Sequence, residues 1–285
     1  MTTLVREPAE FRRACDDARA DSSRVGLVPT MGALHEGHFS LIDEAKNRAD
    51  FVAVTIFVNP LQFGPSEDLD RYPRTLESDV AGCRERGVDL VFVPARESMY
   101  SAQFQTHVSI EELSRPLEGE CRPEHFDGVT TVVAKLFNLA GPCAAMFGRK
   151  DYQQWKILSR MARDLDMPIE VVGCPIVREP DGLALSSRNR YLSATERKRA
   201  LGIASGLRRA HDAWHEGERN PATLRSFAQE PVQSEFDGVD YVAAVDPDTL
   251  MAAAPSPSRL LIAVAAHLGT TRLIDNVVLG EDPRP

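Results

Sequence analysis

Apolar positions along this chain fall into two textures. Over the first 175 residues, short apolar runs alternate with stretches of helical period. Arg24–Val28 is a strand-like run stopped by Pro29, and a glycine-containing loop leads into a helix over about His38–Asn47, with Leu41, Ile42 and Ala45 on one face. Phe51–Val58 reads FVAVTIFV. A run so apolar fits a strand covered on both sides, as in a parallel sheet between helices. The same reading places a helix over Leu76–Arg86 closed by Gly87, a strand at Leu90–Val93 stopped by Pro94 and a helix over Gly128–Leu139. A strand at Ala144–Phe147, a helix over Tyr152–Leu165 and a strand at Ile169–Gly173 follow. Such alternation predicts a doubly wound α/β domain with a parallel sheet. Ligands of these sheets sit at the carboxyl ends of the strands, so the loops after Val28, Val58 and Phe147 are the first candidates.

From about residue 176 the texture changes. Ser193-Ala-Thr-Glu196 is a capping-box pattern and opens a helix expected to reach about His215. Val239–Val245, Arg259–Ala265 and Arg272–Leu279 read as strands, the last two joined by a turn within His267–Thr270. Helix first and strands afterwards predicts a smaller α+β domain, dividing the chain into 1–176 and 177–285. Ala252–Ser258 reads as an exposed loop.

With 285 residues, 43% of them hydrophobic, the chain can build its core without disulfide or metal staples. The longest apolar runs have strand length, far below the roughly 18–20 residues of a membrane helix. The start, MTTLVREPAEFRRACDD, lacks the apolar segment of a secretory signal. A cytoplasmic protein without a membrane partner is therefore expected. A net charge of −9 argues against a nucleic-acid partner. Local cations can still hold a small anion inside an acidic protein. The five cysteines are odd in number and form no C-x-x-C, which fits reduced thiols rather than a disulfide framework.

Three segments carry the densest chemistry. Pro29-Thr-Met-Gly-Ala-Leu-His-Glu-Gly-His38 joins a strand to a helix. Gly32 and Gly37 permit close backbone approach, and the helix start offers amides and partial positive charge to a phosphate. His35 and His38, three apart, can face one point, where imidazolium donors would stabilise charge on a phosphoryl group. Zinc binding is the competing reading, without the H-E-x-x-H pattern or a nearby third ligand; ordinary capping or turn residues are another. Phe147-Gly-Arg-Lys-Asp151 has the same strand–loop–helix context, with Lys150 as a compact charge and Asp151 as a candidate cap. Asp181–Asn189 places Ser186, Ser187 and Arg188 beside the expected domain boundary, where they can reach a triphosphate. Neither a Walker A sequence nor G-x-G-x-x-G occurs, which disfavours a P-loop ATPase and a dinucleotide dehydrogenase.

Taken together these segments resemble the pantoate–β-alanine ligase family, within the nucleotidyltransferases that carry HIGH and KMSKS elements. His35-Glu-Gly-His38 resembles HIGH, and Leu185-Ser-Ser-Arg-Asn189 stands where the KMSKS-like element belongs. The resemblance extends through Phe57–Phe63, Tyr72–Thr75, His125-Phe126, Lys150–Gln154 and Thr271–Asn276, in order and over nearly the whole chain. It implies a Rossmann-like domain with a small C-terminal lid, and ATP-dependent joining of pantoate to β-alanine through a pantoyl adenylate. ATP would lie along Met31, Gly32, Ala33, Leu34, His35, Glu36, Gly37 and His38, with adenine near Gly148, Arg149, Lys150, Asp151 and Val177. Leu185, Ser186, Ser187 and Arg188 would close over the phosphates. His35, His38, Lys150, Ser186, Ser187 and Arg188 are the expected carriers of charge. Gln62 and Gln154 would bind pantoate, with β-alanine beside Gln62 and Asn59, Tyr72, Arg122, Val132 and Val133 as wall. For the two valines, plain core packing competes evenly. Asp79 would help hold Mg²⁺ through water, against the alternative of a solvated helix aspartate. Arg149 replaces the family's usual Glu, and Ser78 stands where an acidic pair is common. A homodimer is implied by the same resemblance. Two other readings stay open: a nucleotidyltransferase acting on a phosphate ester, which has no use for the Gln62/Gln154 pair, and a nucleotide sensor, in which at least one motif would be eroded. The acidic balance disfavours a tRNA-charging enzyme.

Overall fold

The apolar run from Phe51 becomes a strand buried on both faces, and it sets the plan of the larger unit. The structure, a computed structural model, describes residues 1–65, 67 and 69–285. Two units form. The larger comprises Met1–Ser114, Arg122–Arg149 and Gln154–Pro175; the smaller comprises Arg115–Cys121, Lys150–Gln153 and Ile176–Pro285.

In the larger unit, β1 (Thr3–Val5), β2 (Val25–Thr30), β3 (Phe51–Ile56), β4 (Leu90–Phe92), β5 (Cys143–Gly148) and β6 (Ile169–Cys174) make one parallel sheet, ordered β1-β4-β3-β2-β5-β6. Successive residues of a strand point to opposite faces. Leu27, Ala53, Ala145 and Phe147 accordingly enter one core with the helices Pro8–Ala20, His125–Ala140 and Tyr152–Asp164. Val28, Val52, Val54 and Met146 enter a second core, with the helices Glu36–Arg48 and Leu76–Glu85. The sheet is thus doubly wound, as the alternation predicts, and Rossmann-like.

The strand order reverses between β2 and β5. Along its whole length β2 pairs with β3, but it meets β5 only at Gly26 and Leu27, while β5 continues to Gly148 beside β6. The two strands therefore part towards their carboxyl ends, which is where ligands enter such sheets. This parting also corrects the expected end of β2. Pro29 does not stop the strand, because beyond Leu27 only the β3 side is paired and a missing N–H is tolerated at such a one-sided position.

In the smaller unit, β7 (Gly238–Val245), β8 (Leu260–Leu268) and β9 (Thr271–Leu279) form an antiparallel sheet in that order. The helices Leu201–His215 and Pro221–Glu235 bury Ile203, Leu207, Trp214, Leu224 and Val232 against it. The single helix expected to run to His215 is two, Ala194–Arg199 and Leu201–His215, with the capping box at Ser193 and Glu196 formed as anticipated. Sequence reading missed β1 and the helices Pro8–Ala20 and Pro221–Glu235. The last holds an internal Pro231 and buries only Leu224, Ala228 and Val232, a narrow stripe inside a polar sequence.

Candidate functional site

The loop after β2 is fixed by short-range chemistry. Thr30 donates its hydroxyl to the Thr55 carbonyl (2.8 Å) and accepts from the Gly32 amide (3.2 Å). Gly32 turns with φ +87°, and a Cβ there would stand 3.1 Å from both Asp79 and Ile56, so glycine answers both backbone angle and space. Ala33 follows with φ +51°. Its amide and that of Leu34 donate to the two oxygens of Asp79, each at 2.9 Å, and Thr75 donates to the same carboxylate at 3.1 Å. Asp79 is 3% exposed. It is not a solvated helix aspartate but a clamp on the loop. With both oxygens accepting from amides, it does not fit as a direct metal ligand. Among the described residues, no group of three or more His, Cys, Asp or Glu side chains could hold a metal ion.

His35 and His38 are brought together, with ring centroids 4.1 Å apart. His35 caps the helix Glu36–Arg48: its Nδ1 accepts from the Gly37 amide at 3.1 Å, while His38 Nδ1 accepts from the His35 amide at 3.4 Å. A backbone amide only donates, so in this arrangement both Nδ1 atoms are unprotonated and the proton of each neutral ring is on Nε2. Each ring is thus held through Nδ1, which leaves Nε2 as the nitrogen that can donate to a ligand. Capping and ligand binding, posed as alternatives, are compatible. The loop amides are also less available than a bare helix start suggests, since those of residues 32, 33, 34, 35, 37 and 38 all have partners inside the chain. Glu36 pairs with Arg86 at the surface.

The loop after β3 centres on Gln62. Asn59, 1% exposed, begins the turn Pro60–Gln62 and donates to Gln62 Oε1 (3.1 Å) and the Gly128 carbonyl (3.0 Å). It accepts from Tyr100 Oη (2.8 Å) and the Leu61 amide (3.3 Å). Asn59 is therefore a holder of Gln62 rather than plain wall, and it leaves the Gln62 amide's N–H groups as its donating end. Gly128 was not singled out by sequence; a side chain there would collide with the Leu61 carbonyl, so glycine lets the helix His125–Ala140 press on this turn. Arg122 donates to both Glu67 oxygens at 2.5 Å and to the Gln62 carbonyl at 3.2 Å, and His125 Nδ1 lies 2.9 Å from that carbonyl. Burial alone would raise Glu67, but the Arg122 guanidinium outweighs it and holds the carboxyl below its ordinary range. Tyr72 is buried edge-on against Phe63. Val132 and Val133 belong to the core, which accounts for both without a ligand.

At the end of β5, a Cβ on Gly148 would meet nothing within 4 Å, so nothing among the described residues demands a glycine there. The guanidinium of Arg149 lies over the Trp155 ring, 5.5 Å from its centroid. Gln154 lies in the first turn of the helix Tyr152–Asp164, half-buried.

The remaining expected residues belong to the smaller unit. Lys150 Nζ is 4.0 Å from Asp151, and its backbone carbonyl accepts from Asn276 Nδ2 at 2.9 Å. The Leu185 amide donates to the Val177 carbonyl (3.0 Å), across a short hairpin bridged at Arg178 and Ala184. Ser186 caps the turn Ser187–Tyr191 by accepting from the Arg188 amide at 3.3 Å.

Parting strands at a reversal of strand order, with a self-capped histidine pair beside them, define a Rossmann-like α/β enzyme of the nucleotide-handling kind. A family model described as pantoate-beta-alanine ligase matches residues 3–278. The chain belongs to the pantoate–β-alanine ligase family. It is 50% identical over 282 residues to pantothenate synthetase 1 of Bradyrhizobium diazoefficiens, covering 98% of this chain and 99% of the relative. The structure of pantothenate synthetase from Thermus thermophilus superposes with a TM-score of 0.91 at 45% identity, over 97% of this chain and 99% of that one. A pantoate-beta-alanine ligase from Francisella tularensis, solved with β-γ ATP and β-alanine, has a TM-score of 0.82 at 31% identity over the full length of both. No helix among the described residues is long and apolar enough to cross a membrane.

Proposed function

We infer that this chain joins pantoate to β-alanine at the expense of ATP, as its family does. The observation that carries the reading is the parting of β2 from β5, with the clamped His35/His38 loop after β2 and the sterically unforced Gly148 ending β5. A glycine that the fold does not need fits an adenine lying close to the backbone.

Two displacements make up the reaction. A pantoate carboxylate oxygen attacks the α-phosphorus of ATP and pyrophosphate leaves, giving pantoyl adenylate. The β-alanine amine then attacks the acyl carbon, its proton is lost, and AMP leaves with the electron pair of the broken C–O bond. AMP is a far better leaving group than oxide, which is why the carboxylate is activated. No protein nucleophile is needed, so the residues act by positioning and by charge. Nε2–H of His35 and His38 donate to phosphoryl oxygens, joined by Lys150, Ser186, Ser187 and Arg188. Gln62 and Gln154 bind pantoate. Magnesium would come with ATP as part of the substrate, and Asp79 would meet it only through water, its two oxygens being taken by the loop amides. Homodimeric assembly rests on the family resemblance, and a cytoplasmic location on the reading of the cysteines as reduced thiols; light scattering tests the first.

The deciding test is ATP–pyrophosphate exchange with D-pantoate and no β-alanine. Pantoate-dependent exchange is expected, with AMP and pantothenate appearing once β-alanine is added. A folded sample giving neither exchange nor AMP overturns the reading.

A further inference from the structure

The segment Thr271–Asn276 is part of the resemblance, yet the reaction as described gives it no task. Its side chains reach the two segments of the smaller unit that bear the expected phosphate-binding groups. On one face of β9 stand Arg272 and Asn276, four residues apart. Asn276 Nδ2 donates to the carbonyl of Lys150 itself (2.9 Å). Arg272 forms a two-pronged pair with Glu118 (2.7 and 2.8 Å), which also accepts from Tyr241 Oη at 2.6 Å. The Glu118 amide donates to Gln153 Oε1 at 3.0 Å, three residues beyond Lys150. The Lys150–Gln153 segment is therefore held at both ends by chemistry that begins on β9.

On the other face, Asp275, 4% exposed, takes both guanidinium nitrogens of Arg178, at 2.5 and 3.0 Å. Arg178 donates further to the Gly182 carbonyl (3.1 Å) and the Asn276 carbonyl (3.2 Å). This closes the hairpin that delivers Leu185–Arg188. β9 lies at one end of the sheet order, and Arg178 ties that hairpin to it.

We propose that Asn276 and Asp275 are positioning residues for the nucleotide, Asn276 setting the Lys150 backbone and Asp275, through Arg178, setting the Ser186–Arg188 turn. The proposal rests on the function inferred above. It predicts an effect on ATP and not on the other two substrates. Asn276→Ala should raise KM for ATP about tenfold, the worth of one lost hydrogen bond, with KM for pantoate and β-alanine within about twofold. Asn276→Asp, which sets a carboxylate against the Lys150 carbonyl, should be at least as severe. Val277→Ala, on the same strand but buried in the core, is the control: it should lower Tm without moving KM for ATP.

Backbone hydrogen exchange provides a readout independent of turnover. In Asn276→Ala, peptides covering 148–154 should exchange faster while those of β7 and β8 do not. In Asp275→Asn, peptides covering 177–190 should. Equal KM for ATP in wild type and Asn276→Ala, with unchanged exchange at 148–154, overturns the proposal, even if Asp275→Asn fails to fold. Wild type without pantoate-dependent exchange overturns the inferred function instead, and local exchange together with direct ATP-binding titration of the variants still decides the positioning role.

Discussion

The histidine loop of the larger unit and the Lys150 segment of the smaller each carry expected phosphate-binding groups, yet they are held in different ways. His35 and His38 largely build their own frame: each ring caps an amide no more than three residues away, and Asp79 adds a distant clamp. Lys150 depends on partners far along the chain. Its carbonyl is fixed by Asn276, 126 residues on, and Glu118, which donates to Gln153 of the same segment, is fixed by Arg272, 154 residues on. A self-capped loop sets the tautomer of its own reactive groups. A loop fixed from afar delegates that precision to another element, and each loss should be felt differently.

The largest expected effect breaks the self-built frame at its reactive end. His38→Ala should lower pantoate-dependent pyrophosphate exchange by roughly 10²–10³-fold, the usual worth of one aimed donor, with Tm little changed. Near-wild-type exchange would mean that the histidine pair is only a cap. Asp79→Ala removes the clamp and leaves the buried Ala33 amide and the half-buried Leu34 amide without it, at about 1–3 kcal/mol for the buried one. Both Tm and kcat should fall. If Asp79→Ala raises only KM for magnesium while Tm holds, the carboxylate serves the metal and not the loop.

Gly128→Ala comes next. The added methyl meets the Leu61 carbonyl, and overpacking of this kind costs about 1–3 kcal/mol. KM for pantoate should rise through the displaced Gln62 turn, with KM for ATP steady. Glu67→Gln should be milder, raising KM for pantoate a few-fold. It also carries a pH signature. Glu67 is held low by Arg122, so in wild type the pair is complete above the ordinary glutamate value of about 4.3 and is lost as pH falls through the lower, folded-state value. The acid loss of stability below that range should shrink in Glu67→Gln. The smallest effect concerns the thiols. Burial raises Cys15, Cys83 and Cys143 to about 12 and Cys174 to about 11. Thiol labelling of the native protein should stop at the exposed Cys121 and leave turnover intact.

The same contrast explains what could be read from residues alone. Paired histidines beside two glycines announce themselves within ten positions, and the parallel sheet follows from runs such as Phe51–Val58, of which Phe51–Ile56 is strand. For Asp79 the residues alone leave two readings, magnesium through water or a solvated helix aspartate, because a clamp on a loop 45 residues earlier leaves no local trace. Val132 and Val133 could not be told from core, and core is where they lie. Gly128 opened the expected helix 128–139, a place where a glycine raises no question, whereas in the structure it lies inside the helix His125–Ala140. The helix Pro221–Glu235 was signalled by Asn220 and Pro221 at its start, a cap followed by a first-turn proline. The polar sequence and the internal Pro231 hide the narrow apolar stripe that the helix buries. Arg178, Asp275 and Asn276 lay beyond local reading, because their partners are set by the folded strand order.

The long reach of β9 has a consequence for synthesis. Ribosomes add about 5–20 residues per second, so the 126 residues between Lys150 and Asn276 take roughly 6–25 seconds to appear. Through that interval the sheet of the larger unit can already form, while a stretch bearing part of the expected phosphate-binding charge emerges without its anchors. A nascent chain stalled before β9 would thus present a finished histidine loop and an unfinished lysine segment. Competence to hold a nucleotide should therefore arrive late and abruptly, with the emergence of β9.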